Sequence, residues 1–330
     1  HPMPNPARLL PALFLVAASS ALAEVSVKQL DDRVRVELDG KLFTELRYTG
    51  TPHVCFYPII GPSAAKMTRA YPMDEVPGEE TDHIHHRSVW FAHGLVNGVD
   101  YWSEARTFGN KAPKIPVGQI VHEKVVKAEG GKKSGEVLST MKWIAPDKSV
   151  PLTSTQRLVV FSTPDTERQF DFEVALTAGE KDVVFGETKE GTMAIRIAES
   201  MRVKRAKGHP AGSGQILSSE GLKNADAWGK PAKWVVMSGP IDGKPYSIAM
   251  FDHPKNASHP TRWHARDYGL FAANPFAGST MDKALPAGTG NVTLKPGQTL
   301  TLKYRFLIQQ AEPDVAKLAA RFEAYAKDTH

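Results

Sequence analysis

The sequence contains almost no cysteine and, after its first residues, no long apolar run. One of its 330 residues is cysteine, so an internal disulfide cannot form and the apolar core must hold the fold together. Because Cys55 lies in the apolar stretch VCFYPII, we expect it to be a small buried side chain. A membrane-spanning helix needs about 20 apolar residues. The chain beyond its N-terminal segment offers no such run, so we expect no contact with a membrane.

Charge of one sign is not concentrated anywhere in the chain. The 41 basic and 36 acidic residues are interspersed, and they give a formal net charge of +5. The most basic stretch, MRVKRAKGH at 201–209, has no aromatic residues that could stack on bases, which is typical of a solvated loop or strand end. The composition therefore predicts no nucleic-acid partner.

The first 23 residues have the features of a secretory signal peptide. A positive charge at Arg8 precedes the apolar run 9–23, and the last three residues of that run, Ala-Leu-Ala, match the A-x-A cleavage pattern. We therefore predict a signal peptide over 1–23, a single mature domain over 24–330, and a periplasmic or secreted location in a bacterium.

Strand signals dominate the mature chain. In RVRVELDGKLFTELRY (33–48), apolar and polar residues alternate on both sides of the Asp-Gly pair at 39–40, which favours a hairpin turn. A second Asp-Gly pair stands at 242–243, and FDFEVAL (170–176) also alternates. The 26 glycines and 24 prolines punctuate the whole chain, as in domains built of many strands joined by turns.

One helix is predicted, at the C-terminus. In EPDVAKLAARFEAYAK (312–327), apolar residues recur at helical spacing, and Pro313 suits a first helical turn. No linker marks a domain boundary. We therefore predict an all-β protein, a large antiparallel β-sandwich closed by a C-terminal helix.

Four of the 12 histidines fall within TDHIHHRSVWFAH, at positions 83, 85, 86 and 93. If this segment is extended, His83 and His85 share one face about 7 Å apart, and His86 points the other way. His93, or an acidic residue from elsewhere, could then complete a metal site. Imidazole suits zinc, copper, iron or nickel, and calcium is a further candidate. The alternatives are histidines that bind a polar ligand through hydrogen bonds, or that simply pack together.

A second cluster of polar and aromatic residues occupies a long segment at 251–276, which reads as a loop entering a strand. Loops of this length with many donors are usually functional. The sequence leaves open whether this segment meets the first histidine cluster in space. Its chemistry-bearing residues are Asp252, His253, His259, Trp263, His264, Arg266 and Asp267.

Carboxylates and tryptophans complete the set of candidates. Glu190, flanked by Lys189 and Gly191, supplies a carboxylate, and a carboxylate with a histidine is the minimum set for acid–base catalysis. Taken singly, each such residue is more often a surface charge or an ion-pair partner. Trp90 and Trp102 offer flat apolar faces beside directional hydrogen-bonding groups, a combination that sugars need. At least two of the six tryptophans are expected in the core.

Several stretches resemble the bacterial family known as PmoA, or methane oxygenase PmoA. They are FYPIIGP, TRAYPM, VPGEETDHIHHRSVWFAHGLVNGVDYW, KEGTMAIR and DHPKNASHPTRWHARDYGLFAANPF, and the resemblance runs from about residue 50 to about residue 310. The resemblance implies a β-sandwich similar to the galactose-mutarotase-like supersandwich, an architecture whose members commonly bind or act on carbohydrates. Genuine methane monooxygenase is a membrane complex, so the family label is a poor guide to activity. The positions carried over by motif are His83, His85, His86, Arg87, Lys189, Glu190, Arg196, Asp252, Trp263, His264 and Asn274.

Three hypotheses about function follow. The first is an exported carbohydrate-active enzyme, a hydrolase, lyase or epimerase acting on a small sugar, an oligosaccharide or an oxidised sugar such as a 3-keto-glycoside. In it His86 or His264 is the acid and Glu190 the base, and a metal at His83 and His85 could polarise a substrate oxygen. The second is a non-catalytic carbohydrate-binding protein, and the third is the copper- or iron-dependent oxidoreductase that the family label implies.

Within the first hypothesis, Arg87 and Arg196 would hold an anionic or carbonyl oxygen, and Trp90 or Trp263 would stack on the sugar ring. The full set of predicted ligand-binding residues is Arg87, Trp90, Trp102, Lys189, Arg196, Asp252, His253, Trp263, Arg266 and Asn274.

Overall fold

The computed structural model describes residues 23–205 and 211–328. The predicted signal peptide lies outside the described residues except for Ala23. The strands are β1 Val25–Gln29, β2 Arg33–Leu38, β3 Lys41–Arg47, β4 Cys55–Phe56, β5 Val89–His93, β6 Gln119–Glu129, β7 Ser134–Ile144, β8 Leu152–Phe161, β9 Glu167–Ala178, β10 Val183–Phe185, β11 Gly191–Arg196, β12 Gln215–Ser218, β13 Trp234–Ile241, β14 Lys244–Asp252, β15 Arg262–Trp263, β16 Leu270–Asn274, β17 Val292–Leu294 and β18 Thr299–Gln309. The helices are α1 Val315–Ala326 and the short 3₁₀ turns Pro62–Ala64, Ala105–Phe108, Glu199–Met201, Asn224–Ala227 and Gly278–Thr280.

These strands form two eight-stranded antiparallel sheets and a two-stranded one. The first sheet has the order β1-β2-β3-β4-β5-β11-β16-β15, and the second has the order β12-β13-β14-β18-β9-β8-β7-β6. The small sheet pairs β10 with β17. The predicted all-β sandwich is therefore confirmed.

The core lies between the two large sheets, and in the second sheet it follows from the alternation of buried and half-buried residues along strands such as β7 and β9. In β9, Phe170 and Phe172 are at most 1% exposed, while the residues that alternate with them along the strand are only half-buried. Their rings meet phenylalanines of the first sheet. Phe43 lies 5.8 Å from Phe170 and Phe56 lies 5.6 Å from Phe172, between ring centroids. Aromatic contacts of this kind fix the spacing of the sheets because they bury large apolar areas.

Both predicted hairpin turns form. Asp39 and Gly40 have φ of 48° and 70° between β2 and β3, and Asp242 and Gly243 have φ of 49° and 74° between β13 and β14. These positive angles match the type of turn whose twist suits a two-residue hairpin. The expected burial of Cys55 is also confirmed, and burial raises the pKa of its thiol to about 11.

Helix α1 covers the face of the second sheet that is turned away from the core. Leu318, Phe322 and Tyr325 pack against Trp234 and Phe251 in a separate apolar cluster. Asp314 caps the helix by accepting a hydrogen bond from the Lys317 backbone N–H. The predicted C-terminal helix is thus confirmed. Over the described ranges, no helix has the length and apolar character needed to cross a membrane.

Candidate functional site

The candidate site lies on the face of the first sheet that is turned away from the second, here called the outer face. Phe91 of β5 points into the core, where its ring lies 6.4 Å from Trp143. Its neighbour Trp90 therefore points to the outer face, because successive side chains of a strand alternate. Trp90 is paired with Ala194 of β11, which is paired in turn with Ala272 of β16.

The same pairing brings distant parts of the chain to the outer face. The backbones of His264 and Ala272 exchange both hydrogen bonds, so His264 lies in one row with Trp90. Arg196 is paired with Leu270, and the Arg266 backbone N–H donates to the Leu270 carbonyl, which places both arginines in the next row. His264, Arg266 and Tyr268 therefore lie on the same face as the first histidine cluster, and the Tyr268 ring contacts His83, which answers the question the sequence left open.

Residues 83–86 form a turn, so the predicted extended H-x-H arrangement is wrong. The His86 backbone N–H donates to the His83 carbonyl at 2.9 Å, and His83 has a φ of 44°. The turn stacks the His83 and His86 rings at 4.7 Å. Tyr268 lies 5.0 Å beyond His83, and Trp90 lies 5.4 Å beyond His86. We call Tyr268, His83, His86 and Trp90 the ring column.

Only one end of the ring column is accessible to a ligand. The His83 side chain is 39% exposed and Tyr268 is half-buried, whereas Trp90 is 1% exposed. Trp102, which lies 5.1 Å from Trp90, is also buried. Trp263 points into the core, where its indole N–H donates to the Ala232 carbonyl at 2.9 Å. Trp90, Trp102 and Trp263 are as buried as His264, all at 2% exposure or less, so the stacking of a sugar on a tryptophan stays a prediction.

A network of two arginines and one carboxylate supports the column from beneath. Arg196 donates to Asp82 and to Nδ1 of His86, both at 3.0 Å. Arg69 donates to the same carboxylate oxygen of Asp82 at 2.5 Å, and the His83 ring contacts the other oxygen at 2.6 Å. Burial opposes ionisation of Asp82, but the His83 hydrogen bond and the Arg196 and Arg69 charges keep its pKa below the ordinary value. Arg196 is therefore committed to neighbours and is not free to hold a substrate oxygen.

His86 is a neutral imidazole. Its Nδ1 accepts from Arg196, so the ring proton lies on Nε2. Burial lowers the pKa of His86 well below 6.5, and the neighbouring His85 and Arg196 lower it further. Burial likewise lowers the pKa of His85 to about 3, and the Nδ1 of that ring lies 3.2 Å from the Thr107 hydroxyl. A neutral ring with its proton on Nε2 donates a hydrogen bond but is a weak acid, so the role of His86 as the catalytic acid stays a prediction.

The groups suited to proton transfer are Glu190 and His264. Nδ1 of His264 lies 4.0 Å from Oε2 of Glu190, and Nζ of Lys189 lies 3.5 Å from Oε1. Burial raises the pKa of Glu190, while burial and the charges of Arg266 and Lys189 lower the pKa of His264 to about 3. The imidazole is thus neutral and the carboxyl keeps its proton to higher pH than usual. These charge states favour Glu190 as acid and His264 as base, the reverse of the predicted roles.

The segment carrying Glu190 is fixed by its own neighbours. Glu187 accepts from the backbone N–H groups of Ser279, Gly288 and Gly290 at 2.8–3.1 Å, and these bonds lower its pKa to about 2. Asn274 donates to the Thr188 carbonyl at 2.8 Å. Asn274 therefore positions the segment. Its side-chain amide donates to the backbone here rather than pointing a free donor at a ligand, as had been predicted.

Arg87, predicted to hold a substrate oxygen, is also engaged. Its guanidinium makes a two-pronged contact with Glu104, with Nη2 to Oε2 at 2.9 Å and a second, shorter bond from Nε. Both side chains are buried, and His53 lies 3.9 Å from the same carboxylate. Burial opposes the charge on Glu104, but the Arg87 contact outweighs it and lowers the pKa of Glu104 to about 2.

His93 lies on the core side of the sheet, so the predicted metal site of His83, His85 and His93 does not form. Its Nε2 donates to the Gly186 carbonyl at 2.8 Å, and its ring lies 4.9 Å from Phe276. Over residues 23–205 and 211–328, no three or more His, Cys, Asp or Glu side chains are arranged to hold a metal ion.

Asp252 and His253 are also placed away from the ring column. Asp252 accepts from Asn256 at 2.8 Å and His259 at 2.7 Å, and from the Thr261 backbone N–H at 3.1 Å, so it shapes the loop that follows β14. The His253 ring packs 4.9 Å from Tyr325 of α1, beside the second sheet. The predicted ligand contacts of Asp252 and His253 are therefore wrong.

Tyr268, Asp82 and Arg69 are site residues that sequence reasoning missed. Asp82 directly precedes the histidines and Tyr268 directly follows Arg266 and Asp267, so adjacency to the two clusters was the available signal. The partners of Arg69 come from residues 80–83, which no local pattern indicates.

The chain belongs to the family of unknown function DUF6807, whose model matches residues 33–323. No curated protein matches the sequence. Membership of the PmoA family stays a prediction.

Solved structures similar to the chain are of low identity. One is a candidate aldose 1-epimerase from Klebsiella pneumoniae, at 8% identity over 93% of this chain and 88% of that one, with a TM-score of 0.39. A GalM/aldose epimerase homologue from C. elegans has 6% identity over 88% and 100%, with a TM-score of 0.31. A polysaccharide lyase has 12% identity and a TM-score of 0.34, and the match covers 91% of this chain but 34% of the lyase. These are likenesses of fold only.

Proposed function

We propose that the outer face of the first sheet binds a carbohydrate and carries out acid–base chemistry on it. The observation that carries this proposal is the Glu190–His264 pair, in which a carboxyl and an imidazole lie 4.0 Å apart with pKa values shifted in opposite directions. Titratable pairs whose surroundings push their pKa values apart are typical of acid–base sites. The Glu190 side chain is 35% exposed, so a ligand can reach it.

The exposed end of the ring column supplies the binding surface. Tyr268 stacks on His83 within 12°, so the face of Tyr268 that is turned away from His83 ends the column, and a flat face of this kind packs against the C–H face of a sugar ring. Lys189 and Arg266 supply hydrogen-bond donors close to the same point. A sugar seated there would present its hydroxyl groups to Glu190 and His264.

The separation of the two groups favours an epimerase or lyase over a hydrolase. Glycoside hydrolases usually flank the scissile bond with two carboxyl groups about 5 Å or more apart. Here one carboxyl and one imidazole lie 4.0 Å apart, which suits proton transfers at adjacent atoms of one sugar. Neutral His264 would take a proton from the substrate, and protonated Glu190 would give one to a substrate oxygen.

The two alternative hypotheses differ in what they require. A carbohydrate-binding protein needs only the exposed rings and donors, so the absence of turnover would favour it. A copper- or iron-dependent oxidoreductase needs a ligand set, and the described part of the chain assembles none; we do not propose it. We also propose that the protein is exported, on the basis of the signal-peptide pattern in residues 1–23.

The proposal is tested by incubating the purified protein with aldoses, uronates, 3-keto-glycosides and oligosaccharides. Polarimetry and proton NMR report epimerisation, ultraviolet absorbance reports an unsaturated elimination product, and reducing-end release reports hydrolysis. We expect catalytic conversion of at least one carbohydrate. Binding without conversion would favour the binding protein, and neither binding nor conversion of any carbohydrate would contradict the proposal.

A further inference from the structure

Arg266 is a half-buried cation without an anionic partner. It lies on the outer face beside the ring column, with its guanidinium carbon 5.4 Å from the centroid of the Tyr268 ring. Within residues 23–205 and 211–328, its side chain makes no hydrogen bond and no ion pair. Asp267, the next residue, does not pair with it; the Asp267 backbone carbonyl accepts from the Lys204 backbone N–H at 2.9 Å.

Three other arginines near the ring column are paired, unlike Arg266. Arg69 and Arg196 share Asp82, and Arg202 donates to Glu80 and to Glu199, both at 2.5 Å. A guanidinium removed from water without a partner is costly, so cations in such surroundings are normally matched by a carboxylate. The anion that would match Arg266 is missing from the described chain around it.

The surroundings of Arg266 are electrically positive and open to a ligand. Arg266 and Lys189 both act on His264, since their charges add to burial in lowering its pKa. Lys189 is 53% exposed and contacts one oxygen of Glu190, the carboxyl that tends to keep its proton. A ligand at Glu190 and His264 therefore meets two cations beside an acid–base pair whose imidazole is neutral.

We propose that the substrate is an acidic sugar of the uronate class, whose carboxylate is bound by Arg266 with help from Lys189. This inference rests on the proposed function, because it takes Glu190 and His264 as the catalytic centre. A guanidinium forms two parallel hydrogen bonds with a carboxylate, which fixes orientation as well as charge. Held in this way, the sugar ring would pack on the outer face of Tyr268 and present its adjacent atoms to the acid–base pair.

The test compares free acids with their methyl esters, which differ only in the charge of the carboxyl group. Trisaccharides of galacturonate, glucuronate and mannuronate, each with its methyl ester, are titrated into wild-type protein by calorimetry or NMR, together with the neutral trisaccharides. We expect at least one free acid to bind at least about tenfold more tightly than its ester, since a charge-assisted pair is lost in the ester.

The variants are Arg266→Gln, Arg266→Lys and, as a matched control on helix α1, Arg321→Gln. Arg266→Gln should lower the affinity for the free acid to that for the ester, Arg266→Lys should retain part of the difference, and Arg321→Gln should change neither. If neutral sugars bind or are converted as well as the acids, and Arg266→Gln has no effect, this inference is overturned while the proposed function stands. If no acidic or neutral carbohydrate binds, both fail.

Discussion

Replacing Glu190 by glutamine lowers the turnover of the substrate at least about a hundredfold, because an amide cannot transfer the proton that the carboxyl carries. The fold does not depend on this carboxyl, since Glu190 is partly exposed and its ion-pair partner is the exposed Lys189 at 3.5 Å. The free energy of unfolding should therefore change by less than about 1 kcal/mol. Steady-state kinetics and denaturant unfolding measure the two effects separately.

The matched control is Glu180→Gln, which removes an exposed carboxyl elsewhere on the chain and should leave turnover unchanged.

The pH dependence of kcat/KM gives a second readout. Activity should fall at alkaline pH as Glu190 loses the proton that its raised pKa retains, and at acid pH as His264 becomes protonated near its pKa of about 3. Turnover by Glu190→Gln equal to that of the wild type would remove Glu190 from the mechanism.

Replacing Arg87 by methionine should destabilise the protein by about 3–5 kcal/mol, because it leaves the buried carboxylate of Glu104 without its partner. Glu104 is 1% exposed, and the Arg87 guanidinium makes two contacts with its carboxylate, which otherwise accepts from the Thr107 backbone N–H of the following turn. His53, at 3.9 Å, is too distant to replace them. Urea unfolding at neutral pH, with wild type as the reference, measures the loss.

The double variant Arg87→Met/Glu104→Leu separates an unpaired charge from a loss of packing. It should be more stable than Arg87→Met alone, since it removes the buried charge together with its partner. The lowered pKa of Glu104 also predicts that the free energy of unfolding decreases at acid pH. Its pKa is lowered from 4.5 to about 2, so its contribution to stability is complete above about pH 4.5 and is lost as the pH falls towards 2. Equal stabilities of the single and double variants would contradict this account. So would a wild-type protein that loses no more stability between pH 4.5 and 2 than the double variant does.

The fold was predictable where its cause is local. Alternation in residues 170–176 indicated a half-buried strand, and the Asp-Gly pairs at 39–40 and 242–243 indicated hairpins, because those turns need residues that tolerate positive φ. The segment 83–86 misled the same reasoning. It forms a turn through a positive φ at His83, a conformation that histidine adopts only occasionally and that no neighbouring residue signals.

The site was predictable by residue type but not by partner. Glu190, His264 and Arg266 were identified because acid–base and anion-binding chemistry draws on few side chains. The sequence did not show which arginine lacks an ion-pair partner. Arg196 pairs with Asp82, which is 114 residues away in the chain, and Arg87 pairs with Glu104 through a tertiary contact. The burial of Trp90 and the core position of His93 also depend on the sheet pairing, which the spacing of residues along one strand does not reveal.

The most direct test of the central claim is an NMR titration of histidine-labelled protein with the carbohydrate that is converted fastest. The chain carries two separate groups of histidines, since His83, His86 and His264 lie on the outer face of the first sheet while His253 and His259 lie beside the second sheet and α1. Single histidine variants assign the ring signals. The account predicts saturable shifts at His83 and His264 with His253 and His259 unchanged; shifts confined to His253 and His259 would contradict it.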